Sequence, residues 1–229
     1  MEDKLHIYEQ VMLLALKDTE GTIEPLVNYQ YALAGAFIAE LLYLKTIHTE
    51  KTKFGSTLIH FTDDQNIKDD ILLECLEKIK SGKHDSRIET WVSKFANFHY
   101  LKNRVAEKLV SRGILKADED KVLLIFKRKI YPEINPVPEK EIIDRARKAI
   151  LYDQEDIDPE TIILLSIAKS TGLLRTIITR PEEKQFKDRI EKLINGKLTG
   201  KAAKEAIDAI QAAIMVAVII PAVTATSSS

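Results

Sequence analysis

Residues 31–44 read YALAGAFIAELLYL, and Glu40 is the only side chain among them that carries a charge at neutral pH. At about 100° per residue, a helix would gather the small residues in one stripe and the bulky residues in another. The small stripe holds Ala32, Gly35, Ala36 and Ala39, and the bulky stripe holds Leu33, Phe37, Leu41 and Leu44. A helix that is apolar on nearly every side is buried on nearly every side, and this one is too short to cross a bilayer. The stretch therefore predicts the central helix of a core, in which the small stripe lets a neighbouring backbone approach closely.

The composition is that of a globular protein. The 229 residues are 45% hydrophobic and 30% charged, with a net charge of −1, which argues against nucleic-acid binding by the whole protein but not against a local basic patch. The lone Cys75 excludes an intramolecular disulfide and suits a reducing compartment, and its apolar surroundings predict a core thiol. Neither a signal-peptide pattern nor a membrane-spanning run is present in the sequence, so we expect a cytosolic chain.

Helical periodicity surrounds the central stretch. Further helices are expected at residues 5–17, 69–80, 98–112, 139–151, 158–174, 181–193 and 201–220. Asp158 followed by Pro159 is a typical helix start, and the three prolines within residues 132–138 exclude regular structure there.

Two hairpins are predicted, each directly after a helix. The first consists of two short strands within residues 47–61, joined around Gly55, and the second has strands near residues 114–115 and 122–130. A helix followed by a two-stranded ribbon, occurring twice, is consistent with two winged-helix-like units or with two unrelated helix–hairpin joins.

Three motifs together resemble the Golgi phosphoprotein 3-like family: LHIYEQVMLLALKDTEGT, YALAGAFIAEL and the later LVSRGIL. The residues that match the family pattern are Leu16, Lys17, Asp18, Glu20 and Gly21 in the first motif and Leu33, Gly35, Glu40 and Leu41 in the second. The match continues through Trp91, residues 103–115 and the closing apolar helix, so that it covers about residues 5–220.

The resemblance implies a mainly α fold. We expect a single helical-bundle domain at residues 5–221, with buried central helices wrapped by amphipathic helices, two small β-hairpins, and a disordered tail at 222–229. It also implies a peripheral membrane protein, because eukaryotic members bind phosphatidylinositol 4-phosphate in a shallow basic pocket and retain glycosyltransferases in the Golgi.

The chain departs from the family at this headgroup pocket. Ala34 stands where the family has an arginine, and Leu26, next to Pro25, stands in place of the pocket aromatic. His99 and Lys102 replace a pair of arginines. Since arginine grips phosphate through a planar fork and lysine acts as a point charge, the resemblance implies weak and less selective binding through Lys102, His99, Ala34 and Leu26.

Angles around the helix at residues 98–112 place its cations. The inward face is formed by Phe98, Leu101, Val105 and Leu109. His99 and Lys102 then share one flank while Arg104 and Lys108 share the other, so Arg104 is not expected to join a phosphate site built on His99 and Lys102.

Two further features have two readings each. Lys127, Arg128, Lys129 and Tyr131 end a strand and either touch an anionic membrane or form a solvated strand end. Glu40, on a buried helix, needs a partner, and it either makes a structural ion pair or cap or lines the headgroup pocket.

Catalytic and metal motifs are absent from the sequence: the histidines have no zinc spacing, and there is no phosphate loop, nucleophile elbow or EF-hand. We therefore expect a non-catalytic, cytoplasmic protein without cofactor or metal that binds anionic membranes peripherally, at the Golgi if the cell has one. Its adaptor role, its protein partners and its self-association stay open. The rival hypotheses are a winged-helix-like nucleic-acid-binding protein and an oligomeric scaffold.

Overall fold

The computed structural model describes residues 4–53, 55–64, 67–82, 87–122, 126–153 and 156–195. The helices are α1 Ile7–Ala15, α2 Tyr29–Tyr43, α3 Asp70–Ser81, α4 Ile88–Ala96, α5 His99–Ser111, α6 Val137–Leu151, α7 Pro159–Thr171, α8 Leu174–Ile177, α9 Arg180–Gln185 and α10 Lys187–Ile194. The strands are β1 Ile47–Lys51, β2 Thr57–Phe61, β3 Asp118–Val122 and β4 Phe126–Ile130. The fold is mainly α with two small hairpins, as predicted.

Helix α2 is the centre of the molecule. Every residue from 32 to 42 is buried, and the helix packs against α1, α4 and α7. Its sequence has no polar face to offer to water, so it is covered on all sides. The prediction of a buried central helix is confirmed.

Two other helices share this interior. All of α1 is buried, including the polar Glu9 and Gln10, and α7 is buried continuously from Glu160 to Ala168. The amphipathic helices α3, α4, α5, α6 and α10 turn one apolar stripe each to this interior. Among the described residues no helix combines the length and the apolar run that a bilayer span requires.

Capping residues fix where two helices begin. The Asp69 carboxylate accepts from the Leu72 amide at 2.8 Å, and Asp158 caps α7 with Pro159 at its first position. Side-chain oxygens at this position satisfy amides that have no partner inside the helix. Both starts agree with the sequence prediction.

Each hairpin is an antiparallel pair that follows a helix. Strand β1 pairs with β2 so that His48 faces His60, and β3 pairs with β4 so that Asp120 faces Arg128. The predicted repetition of helix and hairpin is therefore present, after α2 and after α5.

Several boundaries differ from the predictions. Residues 114–115 are not a strand of the hairpin: Ile114 and Leu115 are buried, and Leu115 forms an isolated bridge with Glu133. Helix α6 begins inside the proline segment, at Val137, because Pro138 fits a first helical turn. The helix expected at 181–193 is two helices that meet at Phe186, and α8 was not predicted.

The small stripe of α2 was predicted to let a neighbouring backbone approach closely, and at Gly35 the described residues do not bear this out. A Cβ atom placed on Gly35 would meet none of the described residues within 4 Å, so no backbone in that part of the chain approaches there. The helix predicted at residues 201–220 and the tail lie outside the described residues.

Candidate functional site

Lys102 lies on α5 against the first turn of α2. Its Nζ is 5.7 Å from the centre of the Tyr29 ring, and Gln30, Leu33 and Phe98 are also around it. The space enclosed between these side chains is about 10 Å³, which is room for a single water. A headgroup would therefore contact the rim of this site rather than enter it.

Within the part of the chain that the structure describes, no carboxylate pairs with the charge of Lys102. Burial lowers the pKa of Lys102, and the positive charge of Arg128 lowers it further. A negatively charged group at this position would relieve both effects.

The other predicted pocket residues are not gathered around Lys102. Ala34 is fully buried in α2, so it offers no surface to a ligand. Leu26 is 85% exposed, has a left-handed backbone with φ of 67°, and lines a different cavity, of about 350 Å³, with Arg175. His99 is the first residue of α5, and its side chain lies outside what the structure describes.

The opposite flank of α5 faces α3, as the angular placement predicts. Arg104 binds the Asp70 carboxylate at 2.7 Å and also Glu74, while Lys108 binds Asp69. These cations hold two helices together and point away from Lys102. Arg104 accordingly takes no part in the site around Lys102.

The basic end of β4 is largely neutralised. Arg128 pairs with Asp120 at 2.7 Å and Lys129 pairs with Glu107 at 2.8 Å. Tyr131 is fully buried, so it cannot serve as the exposed aromatic anchor that the sequence suggested. The side chain of Lys127 is not among those described.

Glu40 is a structural partner of α1. Its carboxylate accepts from the Ile7 amide at 2.5 Å and lies 3.0 Å from Nδ1 of His6. Burial by itself would lower the pKa of His6, but the hydrogen bond and charge of Glu40, with Asp69 and Glu9 nearby, raise it overall. Of the two readings of Glu40, the structural one is confirmed.

A polar network that the sequence analysis missed lies under α1. Gln10 accepts from Arg145 at 2.6 Å and donates to Glu160 at 2.5 Å, while Glu9 accepts from Arg112 at 2.9 Å. The sequence feature that could have indicated this network is the presence of two polar residues, Glu9 and Gln10, in a helix that is otherwise mostly apolar.

Three acids meet near the loop after α1. Asp18, Glu133 and Glu139 each bring a carboxylate oxygen within 4.8 Å of the others. Burial, followed by the charges of Asp18 and Glu133, raises the pKa of Glu139 to about 8. Such a group of oxygens has the right chemistry for a hard cation, but exposed acidic groups commonly occur together without one.

A family model described as Golgi phosphoprotein 3 (GPP34) matches residues 7–210. No curated protein matches the chain.

Proposed function

Because the chain belongs to the Golgi phosphoprotein 3 (GPP34) family, we propose that it is a peripheral membrane protein that binds anionic phospholipid headgroups without catalysing a reaction. Phosphatidylinositol 4-phosphate, the lipid bound by eukaryotic members, is the first lipid to test. In a cell with a Golgi, the proposed location is the cytoplasmic face of that membrane, with a role as an adaptor.

The observation that carries the proposal is the environment of Lys102. This lysine is half-buried and has no carboxylate partner among the described residues, and it lies beside the first turn of α2. The first amides of a helix have no intrahelical acceptors and favour negative charge. A lipid phosphate would supply the missing anion to both groups.

Binding at this position should be weaker than in members that keep their arginines. With Ala34 buried and a lysine in place of the planar arginine fork, fewer directed bonds reach the phosphate. Each lost bond to a charged group costs about 1.5–3 kcal/mol, roughly ten- to a hundredfold in affinity. Attachment should therefore be electrostatic and weakened by salt.

Vesicle flotation tests the proposal. We expect the protein to float with vesicles that contain phosphatidylserine or phosphatidylinositol 4-phosphate and not with pure phosphatidylcholine. Lys102→Ala should reduce flotation, as should added salt. Lys187→Ala, which removes the same charge from an exposed position on α10, is the matched control and should float like the unaltered protein.

Two results would contradict the proposal: flotation that does not respond to salt, or flotation that Lys102→Ala leaves unchanged. A DNA mobility shift run beside it tests the nucleic-acid hypothesis. That hypothesis is disfavoured because α2 is buried, so it cannot enter a groove, and because Arg104 and Lys108 of α5 are bound to α3.

A further inference from the structure

A second basic region lies on another side of α5, away from Lys102. A cavity of about 590 Å³ opens between the start of α1, the end of α5 and the first turns of α6. Its charged lining consists of Lys4, Lys108, Arg112, Arg145 and Glu141. It shares no lining residue with the space around Lys102.

Three of the four cations form ion pairs with buried carboxylates. Lys4 pairs with Glu160 at 2.6 Å and Arg112 pairs with Glu9 at 2.9 Å. Lys108 is held in the same way by the buried Asp69. Because these carboxylates are covered, a molecule that enters the cavity meets the cations before it meets their partners.

Arg145 is held differently from the other three. Within the described residues it makes no ion pair, and its Nη2 donates to the neutral amide oxygen of Gln10 at 2.6 Å. The Nε of Arg145 is buried and has no acceptor among the residues that the structure describes. Gln10 is itself fixed, because its amide nitrogen donates to Glu160 at 2.5 Å and to the Leu5 carbonyl at 3.0 Å.

The geometry points to an anion-binding cavity in which Arg145 is the principal donor, and we propose that its ligand is a phosphate monoester group. A guanidinium with donors to spare matches the oxygens of a phosphate through two parallel bonds. Lys4 and Arg112 lie on the same lining and add positive charge. The volume is that of an ordinary small-molecule site, so the phosphate can carry a further group of moderate size.

Such a phosphate can come from a lipid or from a soluble molecule. Ile134 and Val137 are 58% and 57% exposed, and they flank Asn135 and Pro138, which line the cavity. Apolar side chains beside a cationic cavity suit the surface of a bilayer. A soluble phosphate ester would make no use of them.

Calorimetric titration with inorganic phosphate at constant ionic strength tests the site. We expect saturable binding that Arg145→Gln weakens at least tenfold, because a bond to a charged group is lost. Arg175→Gln, which removes the same charge at the exposed edge of another cavity, should bind phosphate like the unaltered protein. Lys4→Gln, at a mostly exposed side chain, should weaken binding to a smaller extent and keeps the test valid if Arg145→Gln does not fold.

The proposal is overturned if the unaltered protein shows no saturable binding of phosphate, or if Arg145→Gln and Lys4→Gln both bind it unchanged. Lys102→Ala should leave the Arg145-dependent part of phosphate binding intact, so failure here and failure of the proposed function are separate results. Loss of phosphate binding in Lys102→Ala alone would place the anion at the other site and overturn this one.

Flotation on vesicles that contain phosphatidic acid, a lipid with a phosphate monoester headgroup, identifies the source. If Arg145→Gln and Ile134→Ser both reduce flotation, the ligand is a lipid. If phosphate binding depends on Arg145 while flotation does not, the ligand is a soluble phosphate ester.

Discussion

Asp69 carries several interactions on one buried carboxylate. It caps α3 through the Leu72 amide, accepts from the Tyr8 hydroxyl at 2.8 Å, and binds Lys108. Burial tends to raise the pKa of Asp69, but the bonds from Lys108, Leu72 and Tyr8 outweigh it and lower the pKa overall. The carboxylate is thus stabilised in its charged form.

We expect Asp69→Ala to lower the free energy of unfolding by about 2–4 kcal/mol, because a cap is lost, Tyr8 is left without its acceptor, and Lys108 keeps only its exposed partner, Asp70. Urea unfolding at neutral pH measures this. The adjacent Asp70 is the control: its side chain is 70% exposed and pairs with Arg104 at the surface, so Asp70→Ala should cost less than about 1 kcal/mol. Equal losses in the two variants would show that burial of Asp69 does not matter.

For single residues, the sequence predicts the role of a side chain better than it predicts which residue that side chain contacts. The cap at Asp158, the opposite flanks of α5 and the need of Glu40 for a partner all follow from local sequence. The contacts of Asp69 with Tyr8 and of Gln10 with Arg145 do not, because they join residues 61 and 135 positions apart. The separation of Leu26 from Lys102 likewise depends on how helices pack, which spacing along the chain does not encode.

At the scale of elements, α2 contains a glycine that its packing does not require. Gly35 lies mid-helix, and a Cβ added there meets no atom of the described residues within 4 Å. Glycine in a helix costs about 0.5–1 kcal/mol relative to alanine through the freedom it gives the unfolded chain. We therefore expect Gly35→Ala to stabilise the protein by about that amount, as a higher urea midpoint.

Gly21 provides the contrast. Its φ is +60°, and a Cβ there would collide with the backbone of Tyr131 and Pro132. Gly21→Ala should therefore destabilise the protein by more than about 2 kcal/mol. A loss of stability in Gly35→Ala would mean that a neighbour does approach the small stripe of α2.

The elements that sequence reasoning placed badly lack an apolar pattern. Strand β3 reads DEDKV, which has no alternation of apolar residues, and it places Asp120 opposite Arg128 and Glu119 opposite Lys129. The apolar Ile114 was taken for a strand, but it is buried where its carbonyl accepts from the Ile134 amide at 2.9 Å. The break between α9 and α10 falls at Phe186, a residue that neither ends nor bends helices by its own preference.

At the scale of the whole molecule, titratable groups held by the core couple folding to pH. The pKa of His6 is raised above its usual 6.5 by Glu40, and burial with the nearby acids raises the pKa of Glu139 to about 8. A raised pKa in the folded state means that folding favours the protonated form. That stabilisation is complete below the unfolded pKa and is lost as the pH rises through the folded pKa.

The pH ranges over which the two groups lose their stabilisation overlap from about pH 6.5 upward. For His6 the stabilisation is lost as the pH rises above about 6.5, and for Glu139 it is lost between about pH 4.5 and pH 8. We expect the free energy of unfolding to fall by about 1–3 kcal/mol from pH 6 to pH 9, since a tenfold change in proton affinity is worth about 1.4 kcal/mol. Urea unfolding at pH 6, 7.5 and 9 measures the slope of the free energy of unfolding against pH.

The double variant His6→Gln, Glu139→Gln removes both titrations and should flatten this slope. The control variant Cys75→Ser changes a buried thiol, so it should lower stability at every pH and keep the slope. A slope that survives in the double variant would assign the pH dependence to other groups and would remove the basis for linking these two side chains to the stability of the core.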